Sequence, residues 1–185
     1  MNNIIIHISD LHISDQSGKF GRANKSTYLK IETGNNNSSF ISQFTDYIKK
    51  IPNDRKVLIL TGDISNIAEE TEFDEAVKIV SQLIRDLNIY KDDFLIIPGD
   101  HDIHRDSIKN KLREPAKPTD QDLTIVKQAY FGDFYKTIKG SEFKNETLIF
   151  DNIEIDDIML LGINSNSIVD QNGGHGFLPI EKFEA

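Results

Sequence analysis

Three short apolar runs in this chain each end at an acidic residue. The runs and the residues that follow them are 4–9 with Asp10, 57–62 with Asp63, and 94–99 with Asp100. Short runs rich in Ile, Leu and Val are typical of buried parallel strands. Ligands of open α/β sheets bind just beyond the carboxyl ends of the strands. The pattern therefore predicts that three carboxylates meet at one edge of a sheet, as the start of a divalent-metal site.

Hydrophobic residues recur at helical spacing between these runs. One stripe covers 40–51 and is ended by Pro52, while a second covers 73–87. Thr71 and Asp74, three residues apart, resemble a capping box at the start of the second helix. The order strand, helix, strand, helix, strand predicts a βαβαβ unit with a parallel sheet and right-handed crossovers, and hence an α/β fold.

The remaining stretches follow a looser pattern. Residues 14–37 are polar and contain several glycines, which predicts a loop insertion, and 105–120 is interpreted as a linker region. Further elements are predicted as a short helix over 102–112, a helix over 123–138, strands over 147–155 and 158–163 joined by a turn at Asp156 and Asp157, and a helix start at 178–181.

Composition narrows the classes of protein. The chain has 185 residues, of which 38% are hydrophobic, which suits a single domain of ordinary size. No apolar run is long enough to span a bilayer and no secretory signal precedes Ile4, so we expect a cytoplasmic protein without a membrane partner. Cysteine is absent, so any metal must use oxygen and imidazole ligands. The net charge of −9 argues against a broad nucleic-acid-binding face.

The three acidic positions belong to short motifs that resemble those of the calcineurin-like metallophosphoesterases. They are Asp10-Leu11-His12, Gly62-Asp63 and Gly99-Asp100-His101-Asp102. The family's pattern is Asp-x-His, Gly-Asp and Gly-Asn-His-Asp/Glu, followed by a lone His and Gly-His-x-His. The surrounding residues are most similar to the cyclic-nucleotide-phosphodiesterase-like branch, and the resemblance extends from Ile4 to about Ile163.

This resemblance implies a two-sheet sandwich flanked by helices that binds two divalent metal ions. The implied metal ligands are Asp10 and His12 for the first ion, Asp63 as the bridge, and Asp100 for the second. His101 would protonate the leaving group or steady the phosphate, and Asp102 would orient His101. Mn is the favoured metal, with Fe, Zn and Ni as alternatives, because all of them accept oxygen and nitrogen ligands.

The chain departs from the family's pattern at Asp100, where the family has Asn. An anionic ligand reduces the positive charge that the metals offer to the transition state. On this argument, Asp100→Asn is expected to raise turnover at saturating metal. His104 and Arg105 follow the third motif and are candidates to face a phosphate, although a solvated helix start is the favoured interpretation.

The family's later histidine motifs are a second departure. His175 lies in Gly173-Gly174-His175-Gly176, which is not Gly-His-x-His, and is interpreted as a loop residue. His7 lies within a predicted strand, where a core or hydrogen-bonded role is favoured over metal binding. We therefore predict that residues 1–185 are the N-terminal part of a single metallophosphoesterase domain, truncated after its first half and inactive alone.

The function expected for the intact protein is metal-dependent phosphoester hydrolysis by a water activated between two metal ions. A phosphodiesterase acting on a nucleotide-type ester is the leading hypothesis. One alternative is a nuclease subunit, in which additional domains would supply the basic surface for nucleic acid. Another is a non-catalytic protein-binding module that keeps the fold. The oligomeric state is left open.

Overall fold

The computed structural model of the chain describes residues 2–14, 40–144 and 148–166. The predicted helix start at 178–181, His175 and nearly all of the predicted loop insertion over 14–37 lie outside these residues. The elements, in chain order, are β1 (Asn3–Ser9), α1 (Phe40–Lys49), β2 (Arg55–Thr61), α2 (Glu70–Leu87), β3 (Phe94–Ile97), α3 (Arg105–Leu112), α4 (Asp120–Lys127), α5 (Ala129–Lys139), β4 (Ile149–Ile155) and β5 (Ile158–Ile163). In this part of the chain no helix has the length and apolar character needed to cross a bilayer.

The first three strands form a parallel sheet in the order β1–β2–β3. Ser9 pairs with Thr61, and Thr61 pairs with Ile97, so the three strands end level with one another. Helix α1 connects β1 to β2, and α2 connects β2 to β3. The predicted βαβαβ unit and the α/β class are therefore confirmed.

Helices cover one face of this sheet, and a β-hairpin covers part of the other. Inward-facing residues of α1, α2 and α5 pack with sheet residues such as Leu58 and Ile96 in the main core. On the opposite face, Val57 and Leu95 pack against Ile153 of β4 in a second apolar cluster. Burial of each of these side chains contributes roughly 1.5–3 kcal/mol. The two sheets thus face each other, as the predicted sandwich requires.

Strand β1 is less buried than its apolar sequence predicts. Ile5 is 44% exposed, whereas its partner Val57 on β2 is fully buried. His7 is exposed on the same face, and its Nε2 lies 2.6 Å from Thr61 Oγ1. The exposure arises because the β4–β5 hairpin packs on β3 and on the adjacent part of β2. Among the described residues, it does not extend over Ile5 of β1.

A single helix was predicted over 123–138, and this prediction is wrong, because two helices, α4 and α5, occupy the segment. The break falls at Gln128, with φ −115° and ψ 16°, and not at Gly132. Gln128 is buried, and the preceding Lys127 carbonyl accepts a 2.8 Å hydrogen bond from the His104 N–H. A carbonyl used outside its own helix favours a helix end at that point.

The start of α2 also differs from its prediction. The helix begins one residue before Thr71, with Glu69 as its N-cap, and Glu72 rather than Asp74 closes the capping box. The buried Glu72 carboxylate accepts hydrogen bonds from backbone N–H groups, including those of Glu69 at 3.3 Å and Ile67 at 2.9 Å. A buried carboxylate with several donors is favoured over Thr71 and the exposed Asp74, the pair that the spacing alone indicated.

The later elements agree more closely with prediction. The short helix is present as α3, preceded by a 3-10 turn over Asp100–Asp102. The linker region predicted over 105–120 is wrong in its first half, which is this helix, and only residues 113–119 connect α3 to α4. Strands β4 and β5 form an antiparallel hairpin. A turn at Asp156, which has a φ of 50°, joins the two strands.

Candidate metal centre

Beyond their ends, the three parallel strands continue into loops that remain hydrogen-bonded to one another. The Gly62 N–H donates to the Ile97 carbonyl over 2.8 Å, and the Asp10 N–H donates to the Gly62 carbonyl over 3.3 Å. The His12 N–H donates to the Asp63 carbonyl over 2.8 Å. Because these bonds extend the pairing past the strands, the sequence motifs lie side by side at the carboxyl edge of the sheet.

Three of the predicted metal ligands have left-handed backbone conformations. The φ angles are 56° at Asp10, 42° at His12 and 51° at Asp63. A residue other than glycine pays roughly 1–3 kcal/mol for such a conformation, which persists only where the surrounding structure imposes it. Strain of this kind concentrates at functional sites, and three of the six such non-glycine residues in the described part of the chain lie in two adjacent motifs at this edge.

A histidine, an aspartate and a second histidine converge within reach of a single metal ion. Ligand atoms of His12, Asp63 and His101 all lie within 4.8 Å of one another. His12 Nε2 is 3.8 Å from Asp63 Oδ2 and 4.0 Å from Asp10 Oδ1. The His12 and His101 rings meet edge to face, with centroids 4.7 Å apart. Two imidazoles and a carboxylate are a donor set suited to Mn, Fe, Zn or Ni.

The His101 ring is held by the loop that follows β2. Its Nδ1 lies 2.6 Å from the Asn66 carbonyl oxygen, which can only accept, so Nδ1 carries a proton. In the neutral ring, Nε2 then has a free lone pair. The His101 N–H also donates to Asp63 Oδ1 over 3.1 Å. His101 was expected outside the ligand set, but this geometry brings it within ligand distance of His12 and Asp63.

Asp102 does not hold the His101 ring, which was the role expected for it. Its fully buried carboxylate accepts hydrogen bonds from the N–H groups of Ser65 and Gly99, both at 2.8 Å, and of Ile64 at 3.2 Å. Burial raises the pKa of Asp102 to about 6, and these hydrogen bonds oppose that rise. A buried carboxylate needs such donors. Asp102 therefore joins the loops after β2 and β3, and the Asn66 carbonyl orients His101.

Asp100 lies at the same edge but outside the His12–Asp63–His101 group. It lines an open cleft of about 340 Å³ together with Asp10 and Asp63. Its Oδ2 accepts a 2.9 Å hydrogen bond from the Arg105 guanidinium. The two side chains are 29% and 30% exposed, so this ion pair is partly shielded from water. The structure therefore brings all four predicted metal ligands to one edge of the sheet. Asp100 differs from the other three in forming an ion pair with Arg105.

The two Gly-Asp motifs require their glycines. A Cβ added to Gly99 would lie 2.0 Å from Asp63 Oδ1, which is far inside van der Waals contact. Gly62 has a φ of 74°, and a Cβ there would lie 2.9 Å from the Gly99 Cα. Glycine at both positions allows the loops after β2 and β3 to approach closely enough to bring Asp63 beside His101.

Two asparagines that sequence reasoning missed also support the site. Asn66 supplies the carbonyl that holds His101, and the buried Asn166 donates from its side chain to the Pro98 carbonyl over 2.7 Å. Asn166 follows β5 and thus ties the hairpin to the loop that carries Asp100. Asn166 lies 68 positions after Pro98, and nothing in the sequence pattern indicates that the two residues are in contact.

His104 occupies a packed position rather than the solvated helix start expected for it. It is the N-cap residue of α3, and its side chain is 14% exposed. Its Nδ1 lies 2.6 Å from Ser107 Oγ, and its ring meets Tyr130 edge to face at 5.1 Å. The ring contact with Tyr130 packs the start of α3 against α5.

The comparisons with known proteins agree with this arrangement. The family model of the calcineurin-like phosphoesterases matches residues 4–183, so the chain belongs to that family. The chain is also similar to an uncharacterized metallophosphoesterase-like protein, YydB, of Bacillus subtilis (strain 168). The two are 27% identical over 135 residues, which cover 65% of this chain and 27% of that relative. The family resemblance found in the motifs is thus confirmed, and the chain spans only part of its curated relative's length.

The donor set fits the metal dependence that is typical of this family. His12, Asp63 and His101 offer imidazole and carboxylate ligands at one point, and Asp10 and Asp100 add carboxylates at the adjoining cleft. The distances between the ligand atoms leave room for a cation among them, since metal–ligand bonds to nitrogen and oxygen are roughly 2.0–2.2 Å long. A phosphoesterase that uses divalent metal is therefore chemically consistent with these residues.

Proposed function

We propose that the protein is a metal-dependent phosphodiesterase that hydrolyses nucleotide-type phosphoesters. The observation that carries this proposal is the convergence of His12, Asp63 and His101 within 4.8 Å, beside an acidic cleft at the ends of parallel strands. Membership of the calcineurin-like phosphoesterases supports the general reaction class. The nucleotide preference rests on the similarity of the motif surroundings to the cyclic-nucleotide-phosphodiesterase-like branch.

Bound divalent ions would supply an activated water and offset the charge of the phosphate. Asp63 is positioned to contact both proposed cations, because its Oδ2 lies 3.8 Å from His12 Nε2 and it lines the cleft together with Asp10 and Asp100. The Asp10 carboxylate accepts a hydrogen bond from Ser9 Oγ, and both residues line the cleft. Together these residues hold the negative charge that retains the cations.

We propose that His101 protonates the leaving alkoxide, so that the cation is held by His12 and the carboxylates and not by His101 Nε2. Hydrogen bonding of Nδ1–H to the Asn66 carbonyl leaves Nε2 as the atom that can gain and release a proton. Asp102 acts indirectly. By accepting hydrogen bonds from the Ser65 and Gly99 N–H groups, it holds the loop on which His101 lies.

The first test is hydrolysis of bis-p-nitrophenyl phosphate and of cyclic nucleotides by the intact protein, with and without added Mn²⁺. Asp63→Asn is expected to lower the Mn-dependent rate by at least about a hundredfold, since it removes charge at the proposed bridge and about 2.7 kcal/mol corresponds to that factor. Asp157→Asn, at the exposed β4–β5 turn, is the matched control and should keep the wild-type rate. Equal rates for the two variants would refute the assignment of Asp63.

A non-catalytic binding module remains the second candidate, and the Asp100–Arg105 ion pair is the observation that favours it. An arginine that occupies one oxygen of a proposed ligand at 2.9 Å is compatible with a site that no longer binds a second cation. Calorimetric titration with Mn²⁺ separates the two candidates. A protein that binds no Mn²⁺ and hydrolyses no phosphoester would support the binding module.

A further inference from the structure

Three residues with hydroxyl side chains line the cleft beside the metal centre. They are Ser9, Thr61 and Ser165. The Ser9 hydroxyl donates to the Asp10 carboxylate, and Thr61 Oγ1 lies 2.6 Å from His7 Nε2. No hydrogen bond joins the Ser165 hydroxyl to another residue in the described part of the chain. Of these three hydroxyls, the one on Ser165 is therefore available to a molecule in the cleft.

The backbone around Ser165 is held by a buried asparagine on each side. The Asn164 N–H donates to the Leu148 carbonyl over 2.8 Å, and the Asn166 N–H donates to the Asn164 side-chain oxygen over 3.1 Å. The Asn166 side chain donates to the Pro98 carbonyl over 2.7 Å. Because both neighbouring side chains are engaged within the protein, the segment presents the partly buried Ser165 to the cleft in a fixed position.

Further buried polar side chains support this segment from the junction of α4 and α5. The Lys127 ammonium donates to the Asn166 carbonyl over 3.1 Å, and the Gln128 side-chain nitrogen lies 3.5 Å from Asn164 Oδ1. Lys127 and Gln128 are both buried. Buried polar groups reduce stability unless they are hydrogen-bonded, and a satisfied network rigidifies the segment that it holds. The position of Ser165 is therefore set by several parts of the fold.

The charged residues that line the cleft, among those described, are all acidic. They are Asp10, Asp63 and Asp100. Bound divalent cations would offset these charges, but the carboxylates repel any phosphodiester oxygen that does not contact a cation. A hydroxyl can donate a hydrogen bond to such an oxygen, and hydrogen bonds to a charged acceptor are stronger than those between neutral groups. A serine hydroxyl on this wall therefore suits a phosphodiester.

We propose that Ser165 is a substrate-binding residue that donates a hydrogen bond from its hydroxyl to a phosphoryl oxygen of the phosphodiester. This inference rests on the proposed function, because it assumes that a phosphodiester binds in the cleft beside the cations. The contact is made with the phosphate group that all such substrates share, and not with a sugar. It is present both in the bound substrate and in the transition state, so it affects binding more than the rate of the bound substrate.

The test is Ser165→Ala in the intact protein, assayed at saturating Mn²⁺ with bis-p-nitrophenyl phosphate and with cyclic nucleotides. KM is expected to rise about tenfold for both substrates, while kcat stays within about threefold of wild type. The dissociation constant of inorganic phosphate, measured by calorimetry with Mn²⁺ present, should rise by a similar factor. Ser165→Thr keeps the hydroxyl and should restore these values. Ser81→Ala, on α2 and outside the cleft, is the matched control and should match wild type.

Metal binding and stability provide the readouts that separate substrate contact from a structural role. Ser165→Ala should keep the Mn²⁺ affinity and the free energy of unfolding of wild type, and a loss of either would overturn the inference. A higher KM for cyclic nucleotides alone would assign the hydroxyl to the sugar and contradict the proposal. Unchanged KM values and phosphate affinity would overturn the inference while the proposed function stands. If wild type neither binds Mn²⁺ nor hydrolyses either substrate, the proposed function fails and this inference fails with it.

Discussion

The backbone of Gly99 leaves no space for a side chain beside Asp63. A methyl group there would meet both Asp63 Oδ1, at 2.0 Å, and the Asp63 N–H nitrogen, at 2.2 Å. The backbone atom cannot move without shifting the loop after β2. The glycine that precedes the aspartate in each of the two motifs is therefore required for steric reasons.

Gly99→Ala is expected to lower the free energy of unfolding by about 1–3 kcal/mol, as overpacking does, and to weaken Mn²⁺ binding by displacing Asp63. Gly132→Ala is the matched control, because it lies in α5 and a Cβ there would meet nothing within 4 Å. That control should stabilise the protein by up to about 1 kcal/mol. Urea unfolding and metal titration measure both effects, and a Gly99→Ala protein with unchanged stability and affinity would contradict the steric argument.

The N-terminus of α2 depends on one buried carboxylate. Glu72 accepts hydrogen bonds from the N–H groups of Asn66, Ile67 and Glu69, so it organises the turn that leads from the metal centre into the helix. The same turn presents the Asn66 carbonyl to His101. The helix start and the orientation of a candidate catalytic side chain are thus coupled through a short segment.

Glu72→Ala is expected to lower the free energy of unfolding by about 1–3 kcal/mol, because buried N–H groups lose their acceptor. Glu75→Ala on the exposed side of α2 removes only a surface ion pair with Lys78 and should cost less than about 1 kcal/mol. Urea unfolding of the two variants provides the comparison. A larger loss at Glu75 than at Glu72 would be inconsistent with the capping assignment.

Glu72 should also contribute to the pH dependence of stability. Burial raises its pKa above the ordinary value of 4.5, and backbone hydrogen bonds oppose that rise. The folded state then binds the proton more tightly than the unfolded state. The contribution of this carboxyl to the free energy of unfolding is therefore largest below pH 4.5 and decreases as the pH rises through the folded pKa. The stability difference between wild type and Glu72→Gln should decrease over that window.

For the whole molecule, the docking of the β4–β5 hairpin decides how the loops around the cleft are held. Ile153 is 2% exposed and packs with Val57 and Leu95 of the parallel sheet. Asn166, just after β5, then reaches the Pro98 carbonyl next to the third motif. The hairpin therefore supports the loop after β3, although it contributes none of the proposed metal ligands.

Ile153→Ala is expected to lower the free energy of unfolding by about 2–5 kcal/mol through the lost burial and the cavity left behind. Ile158→Ala is the control, since Ile158 on the same hairpin is 53% exposed and should lose well under 1 kcal/mol. Chemical denaturation of both variants tests the prediction. Comparable losses would show that the hairpin does not dock through the Ile153 face.

The sequence by itself determined the parallel unit and the residues that meet at its edge. Apolar runs at 57–61 and 94–97 define strands because side-chain period and β-branching act locally, and the acidic motifs follow directly from the strand ends. Parallel pairing then brings Asp10, Asp63 and Asp100 together without any further information. Predicting that these three aspartates meet required only the local hydrophobic pattern and the rule that parallel strands end at the same edge of a sheet.

Only the tertiary structure decided which groups these residues contact. The Asn66 carbonyl orients His101, Asp102 bonds to the backbone of the loop after β2, and Arg105 donates a hydrogen bond to Asp100. The first two contacts join residues that are more than thirty positions apart, and they depend on how closely two loops approach. The third depends on the direction in which α3 leaves its 3-10 turn. Spacing along the chain encodes none of these geometries, because they are set by packing between elements.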